Sequence, residues 1–116
     1  MNIRQMVLEA MSTAGMPAWF AAYVATEEWP EPPPRYVVFT LMTVPSGYED
    51  DGITEWAHYA YLEMWSDDDG YRQKRDAVRD AMMAAGFAPD GCLEGYEPST
   101  KNYHLSMAFV IHEEVA

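Results

Sequence analysis

Residues 54–87, TEWAHYAYLEMWSDDDGYRQKRDAVRDAMMAAGF, change character once, at Ser66, and that change decides the fold. Residues 54–65 read as a strand. One face carries Trp56, His58, Ala60, Leu62 and Met64, and the other carries Ala57, Tyr59, Tyr61, Glu63 and Trp65. Neither face is plainly polar, so a strand of this kind in a small domain implies that one side meets a partner. From residue 68 to residue 85 the apolar period becomes helical. Tyr71, Val78, Ala81, Met82 and Ala85 form one stripe, while Arg72, Asp76, Arg79 and Met83 lie away from it. Gly86 takes the position just past the helix end, where a left-handed residue is favoured.

At the junction stands Asp67-Asp68-Asp69. Hard cations take carboxylate oxygens, but this chain lacks the alternating acidic spacing and downstream glutamate of a calcium loop. Three adjacent side chains also cannot all point at one ion. Capping is the stronger reading: Ser66, Asp67 or Asp68 accepts N–H bonds at the start of the helix, where negative charge opposes the macrodipole.

Upstream, Ile3, Val7, Ala10, Met11 and Ala14 make a single helical stripe over residues 2–14, closed by Gly15 and Pro17. AWFAAYVA (18–25) reads as a short first strand. Pro30, Pro32, Pro33 and Pro34 then impose a stiff, extended connection. YVVFTLMTV (36–44) is apolar on both faces and reads as a central strand, and PSGYEDDG (45–52) as a loop with an acidic cluster at Glu49, Asp50 and Asp51. Near the end, Tyr103, Leu105, Met107, Phe109 and Ile111 alternate with His104, Ser106, Ala108, Val110 and His112, a clear period-2 strand whose hairpin partner falls near residues 92–97. The expected fold is α+β: an antiparallel-rich sheet of four to five strands with two helices on one face, in the order α-β-β-β-α-β-β. One domain is expected over residues 1–116.

The net charge of −12 argues against a nucleic-acid-binding surface and against an anionic membrane surface. Cys92 is the only cysteine, so no disulfide forms within the chain, and a reducing compartment fits. The start has no basic region followed by an apolar core, and no apolar run approaches the roughly 20 residues of a membrane span. His58, His104 and His112 show no zinc spacing; His104 and His112 lie roughly 26 Å apart along an extended strand. No nucleophile elbow or phosphate-binding glycine loop is present, so neither catalysis nor a cofactor or metal is expected. Four of the seven bases, Arg72, Lys74, Arg75 and Arg79, fall within eight residues of the second helix. They make either a solvated face beside Asp76 and Asp80 or a contact with the acidic loop 49–51 or the prolyl arm of a neighbouring subunit.

Several phrases, taken in order, resemble the tail terminator (tail completion, tail-to-head joining) proteins of long-tailed bacteriophages and prophages. They are the amphipathic N-terminal helix, a strand near Trp19–Val24 before a variable loop, RYVVFTLM, GYEDDG, WAHYAYLEMWS leading into a helix that ends MMAAGF, and YHLSMAFVIHEE. The resemblance implies a non-enzymatic structural protein of the virion, assembled in the host cytoplasm. It implies a homo-oligomeric ring, commonly a hexamer, at the head-proximal end of the tail tube. There it stops tube polymerisation, meets the major tail tube protein and a head-completion (neck) protein, and passes DNA through its lumen. Tyr59, Tyr61 and Trp65, with Arg72, Arg75 and Arg79, are then the candidate subunit contacts, and Glu49, Asp50 and Asp51 face a partner or the lumen. The tetraproline stretch departs from the family pattern. A competing reading from the charge alone is a small acidic inhibitor that mimics DNA.

Overall fold

The computed structural model describes residues 1–115. Its elements run α1 (Ile3–Ala14), β1 (Ala18–Phe20), β2 (Arg35–Glu49), β3 (Gly52–Ser66), α2 (Tyr71–Ala84), β4 (Ala88–Glu97) and β5 (Asn102–Glu114). The protein is α+β. Its five strands form one sheet in the order β1-β2-β3-β5-β4, and every pairing is antiparallel except that of β1 with β2.

The stripe of α1 is buried as its period requires: Ile3, Val7, Ala10, Met11 and Ala14 all face the sheet. Asn2 caps its start, its side chain accepting a 3.0 Å bond from the Gln5 amide. At the other end Gly15, with φ of 70°, donates to Ser12, and Met16 reaches back to the Met11 carbonyl. That is a Schellman motif, and Met16 and Met11 are both buried beside it. Lys74 of α2 donates to the Ala14 carbonyl at 3.3 Å, placing a cation at the negative end of α1 and tying the helices together. Both helices close over one face of the sheet. Val37 and Phe39 of β2, Ala60, Leu62 and Met64 of β3, and Leu105, Met107 and Phe109 of β5 meet them in one core.

Several sequence expectations shift. The first strand is only Ala18–Phe20, because Ala21 turns with φ of 69° and its amide bonds the Phe39 carbonyl. β1 pairs parallel to β2, so residues 21–34 must carry the chain back along the sheet. The prolines supply that return; Pro33 is buried, and the Asp67 amide bonds the Pro34 carbonyl. The stretch 45–52, expected as a loop, is mostly hairpin: β2 and β3 stay paired to Glu49 and Gly52, and bulges around Gly47 break the regular register there. The turn is thus confined to Asp50 and Asp51, with Gly52 at φ of 114°.

α2 begins at Tyr71 rather than residue 68, and its N-cap position is Gly70, without a side-chain cap bond. Ser66, Asp67 and Asp68 therefore do not cap the helix. Ser66, fully buried, donates to the Asp68 carbonyl at 2.8 Å, and the Asp68 carboxylate accepts from the Gly70 amide at 2.9 Å. The aspartate side chain has bonded the backbone two residues on, which builds a turn ahead of the helix. Gly86, at φ of 104°, ends α2 as expected, with Phe87 returning to the Met82 carbonyl.

A one-sided core makes the two faces of β3 unequal. Leu62→Ala should lower the unfolding free energy by about 2–5 kcal/mol. Tyr59→Ala, on the opposite face, should cost about 1 kcal/mol or less. Urea denaturation of both variants measures the difference.

Candidate functional site

Two helices cover one side of the sheet, which leaves the other side without a layer of its own. β3 presents Tyr59, Tyr61, Glu63 and Trp65 there, flanked by Val38 and Met42 of β2 and by His104, Ser106, Ala108 and Val110 of β5. Tyr59 and Tyr61 stack with ring centroids 6.2 Å apart, and Trp65 lies flat on His104 at 4.0 Å. Glu63, the one carboxylate among these rings, is held in place: Ser106 donates to it at 2.6 Å and His104 at 2.5 Å. Met42 is 46% exposed and Leu93 73%. At the β1 end Trp19 meets Tyr23 and Tyr36 edge to face, the two tyrosines tilt against each other, and Tyr23 anchors the prolyl segment by donating to the Trp29 carbonyl at 2.6 Å. An aromatic, preorganised and partly exposed sheet face is what an interaction surface needs.

The structure thus brings Tyr59, Tyr61 and Trp65 together on one face and puts Arg72, Arg75 and Arg79 on the other side, on α2. The arginines already have partners within the chain. Arg75 pairs with Asp76 at 3.2 Å and with Glu94, and Arg79 with Asp76 at 3.5 Å and Asp80 at 3.3 Å. The Arg72 guanidinium sits 5.8 Å from the Tyr71 ring centroid. Such exposed pairs each contribute little and exchange readily for others. Glu49, Asp50 and Asp51 stand at the exposed tip of the β2–β3 hairpin, at the far end of the molecule from Asp67–Asp69.

Each histidine pairs with a glutamate that sequence spacing did not reveal, because the partners meet only through cross-strand register. His104 bonds Glu63, His112 bonds Glu55 at 2.9 Å, and His58 bonds Glu113 at 2.9 Å. His58 also bonds the Thr43 hydroxyl at 2.7 Å, and the amino group of Met1 lies 3.4 Å from Glu113. This chain of contacts fastens Met1, just ahead of α1, to the sheet. Among the described residues no group of three or more His, Cys, Asp or Glu side chains is arranged to hold a metal ion. Desolvation first, and the Glu94 carboxylate second, push the Cys92 thiol above its ordinary value, which disfavours the reactive thiolate.

No family model matches the chain, and no curated protein matches it significantly. Among solved structures it is similar to a chain described as "Virion of native gene transfer agent (GTA) particle". The TM-score is 0.62 at 11% identity, with 97% of this chain and 95% of that chain covered. At that identity the likeness establishes a shared fold over nearly the whole length.

The Glu113 contacts give a pH test. The hydrogen bond from His58 lowers the carboxyl below its ordinary value of 4.5, partial desolvation works against it, and the Met1 amino group adds to the lowering. A carboxyl depressed in the folded state contributes stability above its unfolded value and loses it as pH falls through the folded one. Thermal midpoints scanned from about pH 7 to about pH 3 should fall more steeply below 4.5 for the unaltered protein than for Glu113→Gln, the two converging at the acid end.

Proposed function

We propose that this chain is a non-enzymatic structural protein of a virion, forming a ring, hexameric in its simplest form, at the head-proximal end of a tail tube. The observation that carries the reading is the fold match, which spans 97% of the chain with a virion component. The element order and the phrases that resemble tail terminators agree with it. In this reading the ring stops tube polymerisation, meets the tube protein on one side and the neck protein on the other, and works at the head–tail junction after assembly in the host cytoplasm.

The open face supports a ring physically. Tyr59, Tyr61 and Trp65 supply rigid aromatic area on a sheet that no helix covers, and a neighbouring copy would remove it from water. A net charge of −12 suits a lumen through which DNA slides, because carboxylates repel phosphates and leave nothing to grip. The rival DNA-mimic reading needs carboxylates spaced along one surface. Here Glu49–Asp51 and Asp67–Asp69 occupy opposite ends of the hairpin, and the face between them is largely aromatic and apolar.

Electron microscopy of tail tubes tests the role: with the protein present tubes should end at one length bearing a terminal ring, and without it they should overgrow. Tubes of equal length in both cases overturn it. The paired substitution Tyr61→Ser and Trp65→Ser should weaken subunit association by about 30-fold or more, the loss expected of a hot-spot pair. It should leave the far-ultraviolet circular dichroism of the monomer unchanged.

A further inference from the structure

On the helix-covered side of the sheet, a groove of about 560 Å³ runs between α2 and the β4 edge. Its floor is apolar, with Met107 and Phe109 of β5 beside Pro89 and Cys92 of β4, and its rim carries Arg75, Arg79 and Glu94. β4 is irregular there: the register jumps from Pro89 opposite Phe109 to Cys92 opposite Met107, leaving Asp90 and Gly91 without ladder partners. The four bases of α2 are matched by the carboxylates of Asp69, Asp76, Asp80 and Glu94 around them, which leaves this stretch near neutral on a chain whose net charge is −12. No other part of the surface gathers bases in this way, since residues 36–71 and 102–115 contain neither lysine nor arginine.

At the other end of the molecule the β2–β3 hairpin projects a tip of complementary chemistry. Tyr48 is 69% exposed, and Glu49, Asp50 and Asp51 follow it directly. An aromatic ring suits the apolar floor, and the carboxylates suit guanidinium donors that are now shared with weak surface partners. The tip cannot reach the groove of its own chain. Glu55, just inside the tip, lies opposite Glu114, and Met107 is seven residues further along β5, roughly 23 Å away in the direction leading from the tip. The prolyl arm is also unavailable as an occupant, because Pro33 is buried against its own domain.

We infer that the hairpin tip of one copy seats in the α2–β4 groove of the next, Tyr48 over Met107 and Phe109, and Glu49 to Asp51 against Arg75 and Arg79. The contact joins two different surfaces, so repeated use of it builds a head-to-tail series that closes into a ring or runs on as a filament. It rests on the ring reading only for that closure.

The groove contains the chain's single cysteine, which makes the contact directly testable. Unaltered protein under mild oxidation can link Cys92 to Cys92 and so stops at dimers. Tyr48→Cys should instead give a covalent ladder beyond the dimer on non-reducing gels, with peptides around positions 48 and 92 joined in the mass spectrum. The ladder should collapse to dimers in Tyr48→Cys with Cys92→Ala. Arg79→Glu should weaken association by about tenfold or more in sedimentation, and Asp50→Lys in the same chain should recover it. A ladder of equal yield from Met83→Cys, on α2 outside the groove, overturns the contact. Rings of Tyr48→Cys that assemble on tail tubes but form no 48–92 disulfide under oxidation overturn it too, and leave the ring reading standing. Linked copies that do not alter tube length uphold the contact and overturn the tail-end reading alone.

Discussion

Everything in this molecule depends on β3 being buried on one face and bare on the other. It pairs with β2 and β5 along nearly its whole length, so its backbone is fully engaged, and Ala60, Leu62 and Met64 fill the space beneath two helices. Two helices of 12 and 14 residues cover one side of the sheet, and on the other the segment after β1 packs at that end alone, through Tyr23 against Trp19 and Tyr36. Further along the second face Tyr59 and Tyr61 pack on each other and Trp65 on His104, and all three rings stay partly exposed. The core draws on one side of this strand alone, so the other side can be altered with stability left nearly intact.

Where one period governs a segment and the segment packs on one side, the residues alone were sufficient. The α1 stripe, the αL glycines at positions 15 and 86, and the alternation of β5 stand where their spacing puts them. The misreadings have different causes. Pro45, Ser46 and Gly47 look like a loop, yet bulges let the hairpin continue through them. The three aspartates look like caps, yet Asp68 finds the Gly70 amide first and delays the helix. The parallel pairing of β1 is invisible locally, because nothing in three residues encodes direction.

The candidate surface was half legible. The doubly apolar character of residues 54–65 pointed to a partner-facing side, and the structure gives that side its shape: the Tyr59–Tyr61 stack, the Trp65–His104 stack, and Glu63 held between Ser106 and His104. What spacing could not show is that the arginines of α2 lie behind the sheet rather than beside the tyrosines. Nor could it show the three histidine–glutamate pairs, since each joins strands far apart in sequence. A single chain reports which face of an element is apolar; which elements share a side follows only from register.

The two edges of the sheet are unequal. β1 is three residues long and its connection folds over it, whereas β4 runs for ten residues with its outer rim open to water. An open rim is a template for strand addition. Here the opposite side of the sheet offers a second such rim, because β1 covers only Val37–Phe39 of β2 and leaves Thr40–Glu49 without an outer strand among the described residues. What opposes strand addition on the two rims is their irregularity: bulges around Gly47 break β2, and the jump between Pro89 and Cys92 breaks β4.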